Sequence, residues 1–175
     1  VLFRSVDLRV GAIVASFLPS CGMLGVSLRC DGREFVALAR TIDEYRAGDT
    51  TGIPLLHPWA NRLRSHTYAV GDRVIDLSGL DVPTDGNGLP LHGVLHGRPF
   101  VVDAVDASHV VARCDVTAVP EVLAAFPFPH VVTIECHLDP GTIDPGTIDP
   151  GTIGSGTLTV TTDVHNTGET ALPVS

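Results

Sequence analysis

The 175-residue sequence contains no lysine, so its 11 basic side chains are all arginine, and against 20 carboxylates they leave a formal net charge of −9. That balance argues against a nucleic-acid backbone or an anionic membrane as partner. With a strong helix former missing, 18 glycines, 13 prolines and short runs of Val, Thr and Leu favour β structure with many turns. No run approaches the roughly 20 apolar residues that a membrane-spanning helix needs, and no charged region, apolar run and small-residue cleavage site open the chain. The expectation is a soluble, cytoplasmic protein. Cys21, Cys30, Cys114 and Cys136 form no Cys-x-x-Cys pair, which excludes a zinc knuckle or redox motif. Cys30, Cys114 and Cys136 sit in strand-like runs and are expected to be buried, reduced thiols.

What is present reads as strand after strand. Residues 8–17 and 23–30 are apolar-rich, and Asp31-Gly32 is a two-residue hairpin signal leading into 34–38. Thr41 and Glu44 have capping-box spacing for one short helical turn through Arg46, ended by Gly48, and no longer helix is needed. Further strands are expected at 74–77, 99–105, 110–116, 130–138 and 157–165. In the last, alternation puts Leu158, Val160, Thr162 and Val164 on one half-buried face. The length suits a single domain with a real core.

Two segments stand apart from this pattern. Asp-Pro-Gly-Thr-Ile occurs three times in succession from Asp139, which is turn chemistry and is expected as a hairpin tip over 139–156. It lacks the glycine-rich nonapeptide of calcium-binding β-rolls. Residues 1–5 resemble the translation of a sequencing adapter and are expected to be a non-native leader, leaving 6–175 as the domain portion.

Residues 52–63, Gly-Ile-Pro-Leu-Leu-His-Pro-Trp-Ala-Asn-Arg-Leu, carry the most information. Pro54 and Pro58 fix their own φ and exclude helix before them, so the segment is expected to run extended and to hold Asn61-Arg62 in place. Arg62 offers a planar fork of donors and Asn61 adds an amide, a set suited to the vicinal hydroxyls of a sugar or to a carboxylate. Taken alone, the segment reads first as a stiffened edge strand whose Arg pairs with a surface acid. His92 and His96 have i, i+4 spacing, but the surrounding Pro90, Gly93, Gly97 and Pro99 oppose a helix, so no metal site is expected. In an extended chain the two rings share parity and face one way. The other histidines are expected to be solvated or locally hydrogen-bonded.

Taken with Leu-His-Gly-Val-Leu-His-Gly-Arg-Pro-Phe at 91–100, Phe-Pro-Phe-Pro-His-Val-Val-Thr-Ile-Glu-Cys-His-Leu at 126–138 and Asp-Val-His-Asn-Thr-Gly-Glu-Thr-Ala-Leu-Pro at 163–173, the segment resembles the aldose 1-epimerases, or galactose mutarotases. The resemblance implies an all-β, antiparallel β-supersandwich of the galactose mutarotase type, here incomplete, binding a monosaccharide without a cofactor. It implies that Arg62 and His92 line the sugar site with Asn61 beside them. The family interconverts α and β anomers through an acid histidine in a His-Pro-Tyr-like motif and a late glutamate base. Neither motif occurs here, so the chain is expected to be an N-terminal half with no catalytic residue present, the acid and base lying beyond Ser175, and to be inactive alone. Two other readings stay open: a noncatalytic carbohydrate-binding β-sandwich, and a hexose-6-phosphate 1-epimerase using Arg62, Arg64 and Arg73. The sequence does not set the preferred aldose or the oligomeric state.

Overall fold

In the computed structural model, which describes residues 3–141 and 156–173, the opening apolar run is two strands instead of one. Gly11, at φ 58°, turns the chain between β1 (Val6–Val10) and β2 (Ile13–Leu18), which pair antiparallel from Val6 opposite Phe17. β2 pairs in turn with β3 (Leu24–Cys30). Asp31 and Gly32 follow at φ 49° and 77°, the left-handed pair that a two-residue hairpin requires. The next strand, β4, is only Arg33–Glu34 and does not reach residue 38. Past it, the Phe35 N–H still reaches the Leu28 carbonyl, while the Glu34 carboxylate accepts from the Val36, Leu28 and Phe35 N–H groups and the Ser27 hydroxyl. Those donors, the Ser27 hydroxyl foremost, hold its pKa down at about 2.

The helix α1 (Ile42–Arg46) starts in the expected capping box, with Thr41 and Glu44 each bonding the other's backbone N–H. It buries Tyr45 in a small cluster with Leu18, Cys21 and Leu24. A hairpin of β5 (Thr67–Val70) and β6 (Arg73–Asp76) follows, of which the sequence signalled only the second strand.

The second sheet has the order β10-β9-β8-β7, from β7 (Val101–Val105), β8 (His109–Asp115), β9 (His130–Asp139) and β10 (Thr157–Asn166). Between β8 and β9 lies a second helix, α2 (Pro120–Ala125), which corrects the expectation of a single helical turn. Pro120 is tolerated in the first turn because the N–H it lacks would have no intrahelical partner, and Val122 and Ala125 are buried.

β9 alternates strictly. His130, Val132, Ile134, Cys136 and Leu138 face the core, while Thr133, Glu135 and His137 face out. Leu158, Val160, Thr162 and Val164 of β10 sit opposite Leu138, Cys136, Ile134 and Val132, on the face the alternation predicts. Val160 stays 42% exposed because β10 is the edge of its sheet; Val101 and Val105 are likewise exposed on the opposite edge, β7.

β1 packs on β8 and β9, so one apolar core joins Leu8, Ile13, Ala15 and Phe17 to Val110, Ala112, Val132 and Ile134. All four cysteines are buried, and burial pushes the Cys114 and Cys136 thiols up to about 11 and 12. The repeat that was expected as a hairpin tip falls mostly at 142–155, outside the described residues, while the pairing of Asp139 with Thr157 brings its flanks together. No helix among the described residues is long and apolar enough to cross a membrane.

Candidate functional site

The 52–63 segment is pinned by its backbone at three places. Ile53 and Gly25 exchange N–H···O bonds, the His57 carbonyl accepts from Val94 and Leu95, and Leu63 donates to Pro90. At the middle pin the two chains are so close that only glycine fits: a Cβ on Gly93 would lie 2.0 Å from the His57 carbonyl oxygen, and Gly93 has φ 80°. The segment does not stay extended to its end, which corrects the sequence expectation. Asn61 is left-handed at φ 62°, a conformation asparagine tolerates better than most residues, and its Oδ1 accepts the N–H of Arg62. His92 is left-handed as well, at φ 63°.

These two turns bring the sequence-predicted trio together. The His92 N–H donates to the Asn61 carbonyl at 2.8 Å, and the Asn61 N–H donates to His92 Nδ1 at 3.2 Å. Because Nδ1 is the acceptor, the ring proton of neutral His92 sits on Nε2, leaving an N–H donor for a ligand. Burial first, and then the neighbouring Arg62 charge, lower the His92 pKa and hold the ring neutral.

Arg62 pairs with an acid, as the simplest reading of the segment has it, but the partner is well covered. Its Nε lies 3.3 Å from Oδ2 of Asp85, whose side chain is 7% exposed, while the Arg62 side chain itself is 56% exposed. Asp85 Oδ1 accepts the N–H groups of Asn87 and Leu89, and those bonds, Leu89 foremost, hold its pKa below the usual carboxylate range with help from Arg62. Sequence reasoning missed Asp85. The signal was the turn-forming string Asp-Gly-Asn-Gly at 85–88, in which Asp side chains fold back on the backbone.

Three other histidines need correction. His96 does not share a side with His92: it is buried, with Nε2 bonded to the Tyr45 carbonyl and its ring against the Tyr45 ring. His57 and His130 are buried too, and their Nε2 atoms meet at 2.8 Å across 73 residues of chain. Trp59 is buried beside Tyr68, and its indole N–H has no partner among the described residues. The site thus presents an exposed guanidinium, an imidazole N–H and an amide on a braced loop. It can orient a polyhydroxylated ligand by hydrogen bonds.

No family model matches the sequence, and no curated protein matches it. Solved structures do. The chain is similar to a galactose mutarotase-like protein from Lactobacillus casei, with TM-score 0.68 and 18% identity over 98% of this chain and 47% of that one. It is similar to a putative aldose 1-epimerase from Escherichia coli, with TM-score 0.66 and 14% identity over 99% of this chain and 50% of that one. The fold is galactose mutarotase-like. A third mutarotase-like neighbour, an aldose epimerase homologue from C. elegans, matches at TM-score 0.56 and 17% identity over 77% of this chain and 42% of that one. Identities this low speak for the mutarotase-like fold and not for individual residues. The chain spans about half the length of the solved structures it matches first.

Proposed function

We propose that the Arg62–His92 site binds a monosaccharide, and that the chain is the sugar-positioning portion of an aldose 1-epimerase. The observation that carries this reading is the reciprocal hydrogen bonding of Asn61 and His92, which sets an exposed Arg62 and a neutral imidazole donor side by side from segments 31 residues apart. The guanidinium fork suits adjacent hydroxyls, and the His92 Nε2–H suits a third oxygen. A neutral hexose also accords with the net charge of −9.

Two alternatives weigh differently. The hexose-6-phosphate reading loses support, because the Arg73 guanidinium is already engaged, lying over the Phe128 ring and donating to the Pro127 carbonyl. The noncatalytic reading gains some from Asp85, the acid paired with Arg62: two backbone N–H groups and the guanidinium stabilise its charge and make it a weak base.

Trp59, two residues before Asn61, supplies a reporter. Titration with galactose or glucose is expected to change its fluorescence saturably, and Arg62→Ala to weaken binding by roughly ten- to a hundredfold, the range for loss of charged hydrogen bonds. Equal affinities for the two proteins would remove Arg62 from the site.

A further inference from the structure

The His57–His130 pair belongs to no part of the sugar site, yet it is attached to it. His57 is 6% exposed and His130 fully buried. His130 Nδ1 lies 2.6 Å from the Phe128 carbonyl, which can only accept, so that nitrogen carries the ring proton and His130 Nε2 is bare. His57 Nε2 is therefore the donor in the 2.8 Å contact. Both rings meet Phe126 edge-on. The charged groups about them are Asp115, at the end of β8 and paired in register with Val131 next to His130, and Arg73, over the Phe128 ring.

The main chain of His57 faces the other way. Its carbonyl takes the Val94 and Leu95 N–H groups and bridges Gly93, the residue after His92. One residue thus grips the His92 segment with its backbone and β9 with its side chain. Trp59, Asn61 and Arg62 follow within five positions.

We propose that the His57–His130 pair is an acid-released clasp that positions the loop carrying Asn61, Arg62 and His92 against the second sheet. This inference takes the Arg62–His92 site as the sugar site. The proton logic follows from the geometry. One added proton can be held between the two Nε2 atoms if His57 moves its own proton to Nδ1. A second puts two N–H donors and two positive charges face to face, and the contact must open.

Burial, and after it His130, lowers the His57 pKa to about 4; burial also lowers that of His130, although the Phe128 carbonyl and Asp115 act in the opposite direction. A depressed histidine stabilises the closed form fully above the ordinary value of about 6.5 and loses that contribution as pH falls through the folded value. The contribution of the pair to the closed form is therefore whole at pH 7 and is lost as pH falls from about 6.5 towards 4.

The test needs no ligand. Trp59 fluorescence of the wild-type chain, followed from pH 7 to 4, is expected to show one transition in that window with uptake of up to roughly two protons. His92→Asn is expected to keep it, since His92 stands outside the clasp. The double variant His57→Phe/His130→Phe, which keeps the rings packed on Phe126, is expected to lose it. A double variant that shows the wild-type transition overturns the proposal. Should the double variant not fold, imidazole nitrogen NMR of the wild type decides: one bare and one protonated Nε2 at pH 7, both protonated along with the Trp59 change, is the expected result. Two independent titrations near the ordinary histidine value overturn it. A wild-type chain that binds no sugar at pH 7 removes the site reading, while the ligand-free transition still judges the clasp.

Discussion

Gly93→Ala is expected to cost about 3–5 kcal/mol, enough to unfold a domain of ordinary stability or to detach the site loop. A methyl group there would lie 2.0 Å from the His57 carbonyl oxygen, 2.3 Å from its carbon and 2.9 Å from the Pro58 nitrogen. All three are backbone atoms, so no side-chain rotation relieves the clash. The left-handed φ of 80° adds about 1–2 kcal/mol for any residue with a Cβ. Separating the segments then breaks the bonds from Val94 and Leu95 to the His57 carbonyl, at about 1 kcal/mol each. Gly79→Ala is the control: Gly79 has φ 78°, and a Cβ there meets nothing within 4 Å. It should cost only the conformational part, about 1–2 kcal/mol. Urea unfolding of the two variants separates the terms, and equal midpoints would show that the approach of Gly93 to His57 is looser than described.

The second large effect concerns turnover. Polarimetry of freshly dissolved α-galactose with the 175-residue chain is expected to follow the spontaneous rate. Opening the ring requires one group to take the proton from the anomeric hydroxyl and another to protonate the ring oxygen, each contributing roughly 10²–10⁴-fold. His92 can donate from Nε2, but its Nδ1 is occupied by the Asn61 N–H. Asp85, the acid joined to Arg62, is held charged by two backbone N–H groups and the guanidinium, and its depressed pKa makes it a poor proton acceptor. Among the described residues, the proposed site holds no matched acid and base. A full-strength enzymatic rate would contradict this, and Asp85→Asn would then show whether Asp85 is the base after all.

Local chemistry was legible in the sequence, and long-range chemistry was not. The capping box at Thr41, the hairpin turn at Asp31-Gly32 and the facing of Leu158, Val160, Thr162 and Val164 along β10 depend on neighbours a few residues apart, and the structure has all three, although Val160 and Thr162 of that face stay exposed. β5 and α2 escaped because Thr67–Val70 is stabilised by its pairing with β6 and Pro120–Ala125 by burial of Val122 and Ala125, which propensity does not encode.

The site divides in the same way. Arg62, His92 and Asn61 were singled out from motifs, and they do converge. How they converge rests on two left-handed residues, Asn61 and His92, where proline bracing had suggested an extended run. Asp85 was hidden because its role depends on a loop folding back 23 positions after Arg62. His57 and His130, each unremarkable in sequence, acquire meaning only when the fold joins them.

Imidazole nitrogen NMR of His92 during a galactose or glucose titration at pH 7 tests whether the Arg62–His92 site takes a sugar. A saturable shift of the His92 Nε2 resonance is expected, with the rings of His109 and His137 on the outer face of the second sheet unmoved, and loss of that shift in Arg62→Ala. A His92 signal that stays fixed at saturating sugar, or that shifts equally in Arg62→Ala, would contradict it.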